Sequence, residues 1–260
     1  MSLRIQGYGW VPDLPDNRDF GYAAPPGILR KLPDKADLRK ECPAVYNQGR
    51  LGSCTANAIG AAFEFELRKQ NPASDFMPSR LFIYYNERVI ENTVPMDCGA
   101  SLRDGIKSVH HQGVCPEAEW PYDIGKFADT PPDPCYADAL NHQVLSYSRI
   151  PRTLDQMKGC LADGYPFVLG FSVYESFESP AVATTGEMDM PKEGEAMIGG
   201  HAVLAVGYAD SSKRFIIRNS WGAAWGKAGY FTMPYDYLLN ANLSDDFWTI
   251  RLVELAPQKG

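Results

Sequence analysis

With 260 residues, 45% of them hydrophobic and 22% charged, the chain has enough material for one large domain or two modest ones around a substantial core. A formal net charge of −7 argues against nucleic acid or an anionic membrane surface as a partner. No apolar run reaches the roughly 18 residues of a membrane span, and Met1-Ser2-Leu3-Arg4 does not open a signal-peptide pattern.

In chain order, residues 1–46 are rich in Pro and Asp and lack periodicity, so they read as an extended N-terminal arm. Asp13, Asp16 and Asp19, spaced in threes, read as solvated turn residues ahead of a cation site. Residues 47–140 read as a mainly helical half. Asn47-Gln48-Gly49-Arg50-Leu51-Gly52-Ser53-Cys54 is a Gly-rich turn that delivers a cysteine to the first turn of a helix, with Ser53 as the expected N-cap. Ala56, Ala58, Ala61, Ala62 and Leu67 continue that helix, and Asn71-Pro72 stops it. A second helix is expected from Ser79 to Glu91, and a third from the capping box at Ser101 to Gln112. Near the end of the third, His110 and His111 suit the negative pole of the helix. Trp120-Pro121-Tyr122 and Pro131 to Pro134 read as a loop. Residues 141–260 read as a mainly β half, with strands at 143–150, 167–174, 201–208, 214–218, 229–234 and 247–253. One helix interrupts them, opened by Thr153 and closed by Gly164, and residues 179–198 form a loop expected at a cleft rim.

A thiol at a helix N-terminus feels the positive end of the dipole, which favours thiolate. Cys54 on its own reads equally well as a buried apolar filler. A nucleophile needs a base, and His201 enters an apolar strand where a polar ring requires a partner or a task. Asn219, at the end of the next strand-like run, could orient that imidazole. No Cys-x-x-Cys pair and no Cys/His cluster has zinc spacing, so neither metal nor cofactor is expected. With Cys54 free, Cys42, Cys98, Cys115, Cys135 and Cys160 include at least one unpaired thiol, and spacing does not decide the pairing.

Together, Gln48 to Cys54, Gly200-His201-Ala202-Val203 and Asn219-Ser220-Trp221-Gly222 resemble the papain-like cysteine peptidases, with Trp225 to Tyr230 as a further match. The separation of Cys54 and His201 falls within the roughly 130–150 residues of that family. The resemblance implies an α+β fold with an active-site cleft between a helical and a β-barrel-like half. It also implies a cysteine-type peptidase, expected to be an endopeptidase, acting through an acyl-enzyme. A transglutaminase-like acyl transferase or a catalytically silent peptide-binding relative are the alternatives. Cys54 and His201 would form a thiolate–imidazolium pair oriented by Asn219. Gln48, otherwise a surface turn residue, would donate to the oxyanion. Trp221 would shield the Asn–His bond or serve the core. Gly99, Ala100, Gly199, Gly200, Ala202 and Trp221 would border the substrate, with a roomy pocket for an apolar side chain. Expected partners are a peptide or protein substrate and a proteinaceous inhibitor, for a monomer in an exported or lysosome- or vacuole-like compartment.

Two departures stand out. Leu51 occupies the place of a half-cystine, which leaves Cys98 without the family's partner, and Leu51 is expected to pack beside Cys98 as a hydrophobic substitute. Thr55 replaces a large ring. The first 25 residues are too short for the family's inhibitory pro-segment and show no such helical pattern.

Overall fold

The structure, a computed structural model, describes residues 7–255. Its elements in chain order are β1 (Trp10–Val11), α1 (Pro26–Leu29), β2 (Lys35–Asp37), α2 (Cys54–Gln70), α3 (Arg80–Glu91), β3 (Ala100–Ser101), α4 (Leu102–His111), α5 (Asp133–Ala139), β4 (Val144–Arg149), α6 (Leu154–Ala162), β5 (Phe167–Tyr174), α7 (Pro180–Thr185), β6 (Met197–Ala209), β7 (Arg214–Arg218), β8 (Tyr230–Pro234), α8 (Tyr235–Leu239) and β9 (Ser244–Val253).

The central element is α2, buried without interruption from Cys54 to Leu67. Its alanines keep the helix narrow enough to lie close against its neighbours, and Asn71, already extended, ends it before Pro72. Ser53 does not cap it with its side chain; the hydroxyl meets the Tyr122 hydroxyl at 2.5 Å instead. By contrast, Ser79 and Ser101 accept from the amides of Phe82 and Asp104 as N-caps of α3 and α4. Thr153 makes no cap hydrogen bond at α6.

A seven-stranded sheet runs in the order β4-β9-β5-β6-β7-β8, with β2 pairing to β6, and every pairing in it is antiparallel. Alternate residues of β5 serve opposite faces. Val168 joins the core shared with α2, α3 and α4, while Phe167, Leu169 and Phe171 join the core on the other face with Phe215, Phe231 and Tyr237. The strand is therefore apolar from Phe167 to Phe171.

Three expectations are corrected. The strand carrying His201 begins at Met197, and the last strand begins at Ser244. The proline-rich stretch near 131–134 is not all loop, because α5 starts at Asp133, where Pro134 fits a first helical turn that needs no amide partner. In the arm, β1 pairs in parallel with β3, across the face where α2 begins.

Candidate active site

The turn before Cys54 is tied down on both sides. Gly49 takes a left-handed φ of +62°, and the Gly52 amide donates to both carboxylate oxygens of Asp97 at 3.0 and 3.2 Å. The Gln48 amide donates to the Ser220 carbonyl at 2.9 Å, and the Gly222 amide to that of Tyr46 at 2.9 Å. These bonds fasten the turn to the strand end that carries Asn219. Leu51 is buried in the helical core, while Cys98, beside which it was expected to pack, is exposed. Thr55 donates to the fully buried Glu87 at 2.8 Å, and burial pushes that carboxyl well above its ordinary range, which favours the neutral acid.

Cys54, His201, Asn219 and Gln48 are all buried. His201 Nε2 and Asn219 Oδ1 lie 2.8 Å apart, which fixes the ring and leaves Nδ1 with no hydrogen-bond partner among the described residues. Trp221 stacks on the imidazole at 4.9 Å between ring centroids, with planes 27° apart. Burial pushes the Cys54 thiol up to about 12, opposed by the backbone amides of Ala202, Gly9 and Thr55. Burial likewise lowers His201 to about 4, against the Asn219 hydrogen bond. Burial thus works against the thiolate–imidazolium pair expected from the sequence. The helix dipole is outweighed by loss of water.

What removes the water is the arm. Gly7 places its carbonyl 2.7 Å from Gln48 Nε2, the donor expected to hold an oxyanion. Tyr8 lies edge-on to His201 at 5.9 Å and donates its hydroxyl to Glu178 at 2.5 Å. Gly9 lies against Gly52 in the turn before the nucleophile, and its carbonyl accepts from the Ala100 amide at 2.8 Å. Trp10 fills the space above Gly170 and Gly200 and donates Nε1–H to Asp246 at 3.0 Å. A Cβ at Gly170 would stand 1.9 Å from the indole, and one at Gly9 1.8 Å from the Gly52 carbonyl oxygen. As expected, no helix of a pro-segment's kind is present among described residues up to 25; residues 7–10 instead lie extended against the reacting groups.

The three aspartates that follow are not solvated turn residues as a group. Asp13 accepts from the Arg103 amide and from Trp248 Nε1, both at 3.0 Å, and Asp19 holds Arg103 at 2.6 Å and Arg149 at 3.1 Å. Only Asp16 lies against an exposed partner, Arg18. The spacing thus reflects anchorage of the arm by arginines from α4 and β4.

Every residue expected to border substrate lies against this segment or the reacting pair. A Cβ at Gly99 would meet the Gly9 carbonyl oxygen at 2.0 Å, one at Gly199 the Tyr8 ring at 2.8 Å, and one at Gly200 the Trp10 carbonyl at 2.7 Å. Ala100 and Ala202 offer the amides already named, and Trp221 lies 6.1 Å from the Tyr8 ring. Sequence reasoning missed Tyr8, Gly9, Trp10, Gly170, Glu178 and Asp246. The alternation Gly7-Tyr8-Gly9-Trp10 was the available signal, since small and aromatic residues in turn suit a narrow cleft with side pockets.

Residues 32–246 match the family described as papain family cysteine protease. An uncharacterised peptidase C1-like protein of Acanthamoeba polyphaga mimivirus is 43% identical, over 97% of this chain and 89% of its own. The crystal structure of xylellain, a cysteine protease from Xylella fastidiosa, superposes with a TM-score of 0.89 at 47% identity, covering 95% of this chain and 96% of that one. The thiol protease aleurain of Arabidopsis thaliana is 30% identical over 78% of this chain, which spans 56% of its length. The bromelain protease of Ananas comosus, solved in complex with the E64 inhibitor, shares the fold at a TM-score of 0.62 and 22% identity, over 83% and 97% of the two chains.

Proposed function

The chain belongs to the papain family of cysteine proteases, and from that premise we propose that it is a peptidase whose nucleophile is Cys54 and whose first occupant is its own N-terminal segment. The single observation that carries the reading is the buried His201–Asn219 bond of 2.8 Å, which leaves Nδ1 free for the thiol. With the segment withdrawn, water and substrate reach the pair, the desolvation that opposes its charging falls, and proton transfer from Cys54 to His201 gives the reactive ion pair. The thiolate attacks a peptide carbonyl, His201 protonates the leaving amine, and a water later releases the acyl group. Gln48 Nε2, which here holds the Gly7 carbonyl, supplies one oxyanion donor, and the Cys54 amide the other.

Two further features support finer readings. The residue lying over the turn before Cys54 is Gly9, which is followed as well as preceded by chain in the cleft, and this favours an endopeptidase over an enzyme that needs a free terminus. The space filled by the Trp10 indole, walled by Gly170 and Gly200, suits a large aromatic side chain of substrate. Hydrolysis of fluorogenic peptides bearing Trp, Leu or Lys at that position tests both. Cys54→Ser should abolish turnover while leaving the circular dichroism spectrum unchanged, and turnover that survives it would sink the proposal.

A further inference from the structure

Outside the catalytic group, two thiols meet in the helical half. Cys115 and Cys135 are both buried, and their sulfurs and the Glu119 carboxylate all lie within 4.8 Å of one another. The backbone brings them together firmly. Gly113, at a φ of +75°, packs so closely on α5 that an added Cβ would stand 1.7 Å from the Ala139 carbonyl oxygen. The Ser79 amide holds the Cys115 carbonyl at 2.8 Å, and the Cys135 amide donates to Pro132 at 2.9 Å.

Between the two lies an irregular, largely exposed excursion with one short 3₁₀ turn at Ile124–Lys126. Apolar burial holds it only in part, through Trp120, Tyr122 and Phe127, so its ends contribute to its order. Yet it supports the site. Tyr122 donates to the Gln48 carbonyl at 2.9 Å and meets the Ser53 hydroxyl at 2.5 Å, directly before the nucleophile. Glu117 pairs with Arg80 at 2.5 Å, and the Arg80 guanidinium lies over the Tyr122 ring at 4.1 Å.

We infer that Cys115 and Cys135 form a disulfide that closes this excursion and holds Tyr122 against the Gln48–Ser53 turn. A disulfide fits better than a metal, because a structural zinc takes four ligands and the cluster offers three, one of them an exposed carboxylate. Bond formation brings the sulfurs from within 4.8 Å of each other to about 2 Å. The oxidant is a low-molecular-weight disulfide. One cysteine thiolate attacks it and expels the first small thiol; the second cysteine thiolate then attacks the mixed disulfide and expels the other. Two protons and two electrons leave the protein and appear in the two small thiols. The closure does not involve Cys54, so the nucleophile stays free. Burial and the neighbouring thiol raise Cys115, so exchange at the folded pair is slow and the bond is set chiefly during folding.

The test uses the full wild-type chain, refolded with a mixture of reduced and oxidised glutathione, then unfolded in iodoacetamide and digested. The expected result is one linked peptide pair containing Cys115 and Cys135, with the other cysteines alkylated. The linked protein should melt roughly 5–10 °C above the fully reduced one, and amides between residues 118 and 130 should exchange more slowly. Cys135→Ala should melt like reduced wild type and lose the dependence on glutathione. Separate alkylation of both cysteines in refolded protein, linkage of either to another cysteine, or stoichiometric zinc binding that both Cys115→Ser and Cys135→Ser remove would overturn the inference.

Discussion

At the reacting atoms, the decisive quantity is how much water reaches Cys54. The thiol is pushed up to about 12 and the imidazole down to about 4, both by burial beneath residues 7–10. Below its pKa, a thiol gains thiolate about tenfold per pH unit. Alkylation of Cys54 in the intact chain should therefore be slow at pH 6 and at least 100-fold faster once the segment is displaced; equal rates would mean that the segment does not control the thiol. Asn219→Ala should reduce kcat roughly 100-fold with KM little changed, since the orienting bond matters most when His201 carries the proton. Gln48→Ala should cost on the order of 100–1,000-fold, the usual loss for one oxyanion donor. Steady-state kinetics on the activated enzyme checks both. Cys54, His201 and Asn219 were singled out in the sequence by three short motifs in the right order and spacing, and Gln48 by its place six residues before Cys54. Their burial was not legible, because it depends on a segment whose one signal is the alternation Gly7-Tyr8-Gly9-Trp10.

Among the elements, α2 and the sheet strands were readable from periodicity, alanine content and stop residues, since their own residues determine them. The segment Gly7–Val11 was not readable, because β1 exists only through pairing with β3 and through pockets supplied by β5, β6 and β9. Trp10 is its largest side chain. Its removal should cost the closed state about 2 kcal/mol of apolar burial, and so raise the fraction of open chain by roughly 30-fold. Trp10→Ala should therefore increase peptide hydrolysis by the full-length chain, and unchanged hydrolysis would assign the closure to other residues. Arg103, held by Asp19 and carrying the Asp13 contact, fastens the next stretch of the arm. Arg103→Ala leaves Asp19 with Arg149 alone and should cost about 3 kcal/mol of stability, measured by urea unfolding.

For the molecule as a whole, buried carboxyls set the pH dependence of stability. Burial raises Glu64, Glu66 and Asp246 to about 7, and Glu87 further in the same direction. Between the ordinary carboxyl range and pH 7 these groups keep protons that the unfolded chain has released, so stability falls as pH rises through that window. His201 acts oppositely: its folded pKa of about 4 lies below the unfolded value, so its contribution is present at neutral pH and lost as pH falls. Four carboxyls outweigh one imidazole, and the melting temperature should be higher at pH 5.5 than at pH 8. Glu87→Gln, which keeps the shape and removes the charge, should flatten that slope; a slope unchanged by it would assign the effect to the other raised carboxyls. Leu51→Ser should lower stability by roughly 2–3 kcal/mol, because Leu51 is buried where a covalent tie is absent.

The central claim is that one cysteine carries the chemistry and that the arm covers it. Labelling with an epoxysuccinyl peptide probe, followed over time and mapped by mass spectrometry, tests both parts in one experiment on full-length wild type and Trp10→Ala. Covalent label is expected on Cys54 alone, arriving roughly 30-fold sooner in Trp10→Ala. Label on exposed Cys98 or any other cysteine with Cys54 untouched, or identical rates in the two chains, would contradict it.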